Sequence, residues 1–439
     1  MNDPFQGLLQ DLLKVIGGSA GGRSAWLDAA RSLAQGVATD GEPEPNADPL
    51  ERIRLEELAR VAELHVGEAT GLPFERSPVM VPVGRGAWAQ KALEAWQPIL
   101  GKMVEAQRDV PAAPPVPFDG EGGMEELLSR FASTLGPVLM GMQFGSAAGH
   151  LAQRALGQYA LPLPWPSSAE ILVTPQNVRR FAEEWSLPED ETRLWVCVRE
   201  LTTHAVMTRP HVADRIRSLV ESLTVEMVGA HQGLAERLGG DVADPEALQR
   251  LMADPEALLA DLLTPGQRRT SEDLVALTSV LGGYVDHVTS RLAATLIGSP
   301  GSLSEAWYRY RIEESASEQA AGALFGLDLT RAQVDRGAAF VRGVLDRAGE
   351  EGLGRLWTDA RHLPTPAEAD APGLWLERIA LPELDDPQVT KEEPAPGSGP
   401  APGVPWGSEA PEEGGPPSDR RHDSPEGPQG AGDPGGPAS

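Results

Sequence analysis

The sequence contains one cysteine, Cys197, so no internal disulfide can brace it. Lysine is nearly missing: Lys14, Lys91, Lys102 and Lys391 are the only ones, and arginine supplies the rest of the 37 basic residues. These face 65 acidic residues, and the net charge of −28 argues against a nucleic-acid-binding surface. The preference for arginine over lysine is typical of GC-rich bacterial coding. No apolar run approaches the roughly 20 residues of a membrane span, and stretches such as "LGPVLMGM" are broken by Gly or Pro. The opening "MNDPFQGLLQDLLKVIGG" lacks the basic start of a secretion signal. A soluble cytoplasmic protein, bound to neither nucleic acid nor membrane, is the expectation. No G-x-S-x-G elbow, phosphate-binding loop or C-x-x-C pair occurs. "GRGAWAQ" (84–90) is not expected to bind a nucleotide, because the sequence before it does not read as a strand of the right kind.

Ten tryptophans and 41% apolar residues point to a folded body. Its patterning is helical. "LERIRLEELARVAELHVGEATG", "RGAWAQKALEAWQPILGKMVEA" and the long segments after residue 124 repeat apolar positions at helical spacing. "ILVTP" (171–175) is the one convincing short strand, with Pro175 suited to open the helix that follows. Gly141, Gly145 and Gly149 fall four apart on one helical face. Mid-helix glycine costs about 1 kcal/mol relative to alanine, so a close helix neighbour is expected there. Composition divides the chain into a helical region over 1–108, a Pro-rich linker over 109–123, a helical core over 124–388 and a Pro/Gly-rich acidic tail over 389–439. Such a tail cannot bury enough apolar surface to offset the entropy of ordering, and it reads as disordered. Its Trp406 reads as a stray aromatic rather than a docking point. The fold class expected is mainly α, with little β structure.

Chemistry concentrates in "RELTTH" (199–204). A zinc peptidase helix reads H-E-x-x-H, with two histidines one turn apart on the metal and the glutamate acting on bound water. Here the glutamate is Glu200, Arg199 stands in the first histidine's place, and a histidine arrives one residue late at His204. On a helix Glu200 and His204 share a face, while Arg199 and Thr203 form a second stripe about 100° away. Zinc needs three or four ligands. Asp286 and His287 of "LGGYVDHV" would complete a shifted set with Glu200 and His204. An isolated Glu/His pair is more often a capped or solvated pair than a ligand set. Cys197, three residues before Glu200, reads as core, and His65, His150, His231, His362 and His422 lack ligand spacing.

Several blocks in order, including "GPVLMGMQFGSAAGHLAQRALGQYALPLP", "ILVTPQNVRRFAEEW", "RLWVCVRELTTHAV", "LGGYVDHV" and "LWTDARHLPTPAEADAPGLWLERI", resemble the actinobacterial zincin-like metallopeptidase family. The resemblance runs from about Met124 to Ile379 and implies a helical zincin-like core binding zinc, with hydrolase activity. It puts Glu200 in the place of the catalytic glutamate. It also puts the metal-holding positions at Arg199, Thr203 and Gly282, where this chain departs from the family. Arg199 is a permanent cation that cannot ligate zinc, Thr203 is a poor ligand, and Gly282 has no side chain. Arg199 would instead pair with a nearby carboxylate. The expectation is therefore a weakly active or inactive family member, without zinc, that binds a protein or peptide. An active zinc hydrolase on the shifted set and a purely structural helical scaffold are the alternatives.

Overall fold

Prolines and small polar residues mark the helix starts, as their fixed φ and side-chain acceptors allow. The computed structural model describes residues 25–45, 48–108, 123–224, 264–313, 316–327 and 330–381. In chain order these form α1 (Ala25–Ala38), α2 (Pro49–Thr70), β1 (Val79–Pro82), α3 (Arg85–Arg108) and α4 (Gly123–Arg154). Then come β2 (Glu170–Val173), α5 (Pro175–Glu184) and α6 (Glu189–Met207), and residues 210–224 are helical as well. The series ends with α7 (Pro265–Leu296), α8 (Pro300–Ile312), α9 (Ala316–Ala323), α10 (Arg331–Gly354), two short 3-10 turns, α11 (Pro366–Asp370) and α12 (Pro372–Ala380). Proline occupies the first turn of α2, α5, α7, α8, α11 and α12. Asp48 accepts the Leu50 N–H at the start of α2, and Thr264 and Gln267 close a capping box on α7.

The fold is mainly α among the described residues, and no helix among them is long and apolar enough to cross a membrane. The strand expected at 171–175 is β2, and its partner was not legible: β1, "VMVP", pairs with it in parallel, Val79 opposite Glu170 and Pro82 opposite Val173. Four residues with a proline carry too little alternation to stand out. This also corrects the reading of "GRGAWAQ", since β1 does precede it. The N-terminus of α3 is filled from within: the Glu44 carboxylate accepts the Arg85 N–H at 2.5 Å and the Gly86 N–H at 3.0 Å. The first 24 residues, 109–122 of the Pro-rich linker, "PEALQRLM", "PEALLADLL", His231, and the 389–439 tail with His422 and Trp406 lie outside the described residues.

The glycine stripe of α4 has the packing reason its spacing implied. A Cβ at Gly141 or Gly145 would fall inside 3.0 Å of the Trp26 or Ala30 backbone of α1, and one at Gly149 would meet Val37. Helix α1 lies directly on that stripe. Its Ala30, Ala34 and Ala38 are fully buried, which brings the two backbones together. Gly101, inside α3, has nothing within 4 Å of its would-be Cβ. Gly145→Ala is therefore expected to destabilise the protein by about 1–3 kcal/mol through overpacking, while Gly101→Ala gains up to ~1 kcal/mol of helix propensity. Urea midpoints of the two variants against the parent measure both, and equal effects would refute the close approach.

Candidate functional site

Helix α6 carries "RELTTH" and is buried on nearly every side. Three acidic residues, Glu189, Asp190 and Glu191, sit in its first turn, where the helix dipole favours them. From Trp195 onward almost every residue is inaccessible, Glu200, Thr202, Thr203 and His204 included. Thr202 and Thr203 satisfy their hydroxyls locally, donating to the carbonyls of Val198 and Arg199. The longer polar side chains have to reach other elements, and they leave the helix along two stripes.

The first stripe is Glu200 and His204. Both meet Tyr159, in the chain after α4. The Tyr159 N–H donates to Glu200 Oε2 at 3.0 Å, and the Tyr159 hydroxyl lies 2.9 Å from His204 Nδ1. A Cβ on Gly157 would overlap the Glu200 carboxyl, so glycine there makes room for it. Burial raises the Glu200 carboxyl to about 7, opposed by the Tyr159 N–H and by Arg199. Burial lowers the His204 imidazole to about 4, which keeps it neutral, and its ring stacks near Phe74. The pair therefore grips the loop that forms one wall of the site.

The second stripe is Arg199 and Thr203, and it faces a cavity of about 110 Å³. Across it α7 presents Leu281, Gly282 and Val285, while α8 presents Trp307, Tyr310 and Arg311. Arg199, Thr203 and Gly282, the positions that the sequence resemblance implied would hold metal, thus line one space, although Gly282 lies far from the other two in sequence. Arg199 Nη1 donates to Asp286 Oδ1 at 2.9 Å, and Arg311 Nη2 donates to Asp286 Oδ2 at 2.5 Å. The guanidinium carbons of Arg199 and Arg311 lie 4.2 Å and 5.3 Å from the Trp307 ring centre, close enough for cation–π attraction. Burial and Arg311 both push the Arg199 pKa down, and Asp286 holds it up.

Asp286 is therefore the carboxylate that Arg199 was expected to find. His287 faces a different neighbour, with Nε2 2.9 Å from Glu350 Oε1 of α10. Glu200 and His204 thus share Tyr159, while Asp286 pairs with Arg199 and Arg311 and His287 with Glu350. Among the described residues no three His, Cys, Asp or Glu side chains gather in a way that would hold a metal ion. The guanidinium of Arg199, the Thr203 hydroxyl donating to its own helix and Gly282 do not fit a zinc ion either. Cys197 is fully buried, and burial raises its thiol to about 12, so it behaves as core. The residues that reading the sequence missed are Tyr159, Trp307 and Arg311. "AWYRYRI" carried a signal, an aromatic and an arginine four apart on one face, but nothing local tied it to position 199.

The sequence profile described as zincin-like metallopeptidase matches residues 26–376. A crystal structure of "a putative hydrolase with a novel fold" from Chloroflexus aurantiacus superposes with a TM-score of 0.55 at 22% identity. The match covers 80% of this chain and 98% of that one, and it is a likeness of fold. No curated protein matches the sequence.

Two outcomes follow from the electrostatics. Between pH about 4.5 and about 7 only the folded chain holds the Glu200 proton, so this group's contribution to stability falls as pH rises through that window. His204 opposes it: between about 4 and about 6.5 only the unfolded chain protonates it, so its contribution rises with pH. Glu200→Gln keeps an acceptor for Tyr159 and removes the first effect alone. The variant is expected to match the parent near pH 4 and to exceed it by up to ~3 kcal/mol at pH 8, read from urea unfolding at both values. Asp286→Ala leaves two guanidiniums, 13% and 11% exposed, without their anion. A loss of about 2–3 kcal/mol is expected, at least half of it recovered by adding Arg311→Met, as a double-mutant cycle would measure.

Proposed function

We propose that this chain, which belongs to the zincin-like metallopeptidase family, acts by binding a protein or peptide, and that its hydrolytic activity is weak or lost. One observation carries the reading: Arg199, Thr203 and Gly282, the positions that the sequence resemblance implies for the metal grip, line a single cavity and bring to it a permanent cation, a hydroxyl and no side chain. A metal lowers the pKa of bound water from 15.7 to about 7. A guanidinium can stand in for positive charge but offers no lone pair to bind that water. Glu200, the catalytic-type residue, is committed to the Tyr159 N–H and does not line the cavity.

The cavity itself weighs against a role as a plain scaffold. A helix bundle kept for stability alone gains nothing from two guanidiniums gathered beside an open space, since burying them costs desolvation. The reading includes a cytoplasmic location and an actinobacterial source, the second supported by the arginine bias of the sequence.

Elemental analysis of the purified protein tests the reading directly. We expect well under one zinc per chain and no chelator-sensitive cleavage of a peptide library. Restoring the family's residues with Arg199→His, Thr203→His and Gly282→Glu should introduce zinc binding, since nothing lies within 4 Å of a Cβ at Gly282. Stoichiometric zinc in the parent, lost on His204→Ala, would overturn it.

A further inference from the structure

The cavity between α6, α7 and α8 is charged in one sense only. Its charged lining residues are Arg154, Arg199 and Arg311, and no Asp or Glu lines it among the described residues. Asp286 bridges Arg199 and Arg311 from the side, so these two guanidiniums share one carboxylate. Glu200 lies near Arg199 but outside the cavity lining, with one carboxylate oxygen on the Tyr159 N–H. Two donors of lining residues, Arg311 Nε and Trp307 Nε1, are buried with no acceptor among the described residues. A buried guanidinium N–H left unpaired is costly, and an acceptor entering the cavity would relieve it. The rest of the lining mixes hydroxyl-bearing residues, Thr203, Thr278 and Tyr310 among them, with an apolar wall that includes Leu151, Leu281 and Val285.

The volume, about 110 Å³, is somewhat less than the roughly 150 Å³ of an apolar cavity that holds benzene. It suits an occupant of about four to six non-hydrogen atoms by the same comparison. A guanidinium fork matches the planar, singly charged carboxylate. A phosphate would place no group against the aliphatic wall.

We propose that this cavity binds a carboxylate carried on a short apolar group, supplied either by a small aliphatic acid or by the carboxy-terminal residue of a peptide. The assignment deepens the metal-free reading above and rests on it. The guanidiniums of Arg199 and Arg311 take the carboxylate, while Leu281 and Val285 with the Trp307 ring enclose the apolar part.

Calorimetric titration of the full chain tests this with butyrate, its neutral counterpart butyramide, and inorganic phosphate. A pair of short peptides ending in valine is titrated alongside, one with a free carboxy-terminus and one amidated. An acid form, butyrate or free-acid peptide, is expected to bind at least about tenfold more tightly than its neutral counterpart and than phosphate, the scale of one charge-assisted hydrogen bond. Arg311→Met should weaken that binding by about tenfold or more. Gly282→Leu, whose added side chain grows into open space, should abolish it with the thermal midpoint retained. Free-acid peptide exceeding butyrate identifies a peptide terminus as the source, and the reverse order identifies a small acid. No preference for either acid over its neutral form, or binding unchanged in Gly282→Leu, overturns the proposal. Zinc measured in the same sample separates the two readings. One zinc per chain overturns the metal-free reading, whereas a zinc-free chain without acid preference overturns only this inference.

Discussion

Helix α6 has almost no solvent face, so each long polar side chain it carries must find its partner inside the protein. That constraint organises the surrounding structure. Arg193 at its start reaches the buried Glu51 of α2 at 2.9 Å, tying two helices together. Glu200 and His204 fix the Tyr159 loop, and Arg199 reaches across to Asp286 of α7. A single buried polar group left without such a partner costs about 1–3 kcal/mol, more if charged. The position of α2, of the loop and of α7 around α6 is therefore coupled to four side chains on one helix.

The cavity follows from the same packing. Two stripes on α6 point about 100° apart, and only one of them is closed by direct hydrogen bonds to a neighbouring loop. The other ends in the short Thr203 and faces Gly282 of α7, which has no side chain. Gly282 and Gly283 show how local this is. A Cβ at Gly283 would strike the Gly337 backbone of α10, where two helices touch, while a Cβ at Gly282 would meet open space. Adjacent glycines thus do opposite things: one permits close packing and the other leaves room. In a family whose name implies a metal, a pair of arginines on one aspartate holds the charge at that room's edge.

Much of the frame was legible because it depends on neighbours in sequence. Apolar spacing marked the helices, proline marked their first turns, and the glycine stripe of α4 announced a close partner. Local order did not reveal that partner, α1, because more than 100 residues separate Trp26 from Gly141. β1 was missed for a related reason: four residues ending in proline become a strand only once β2 lies beside them. At the site, the glutamate and the three family positions could be named from blocks of sequence. Their geometry could not. Tyr159, Trp307 and Arg311 belong to elements whose relation to α6 is set by packing.

The sequence by itself determined a mainly helical protein of the zincin-like family, and it led to the expectation that Arg199, Thr203 and Gly282 stand where metal-binding residues would. Residue type and short-range spacing are enough for that, since both are local properties. Only the tertiary structure decided that those three positions line one cavity, that Asp286 serves two arginines, and that Glu200 and His204 grip Tyr159. Each of those facts depends on side chains brought together across long loops, where the directions of helices, rather than the order of residues, determine what meets.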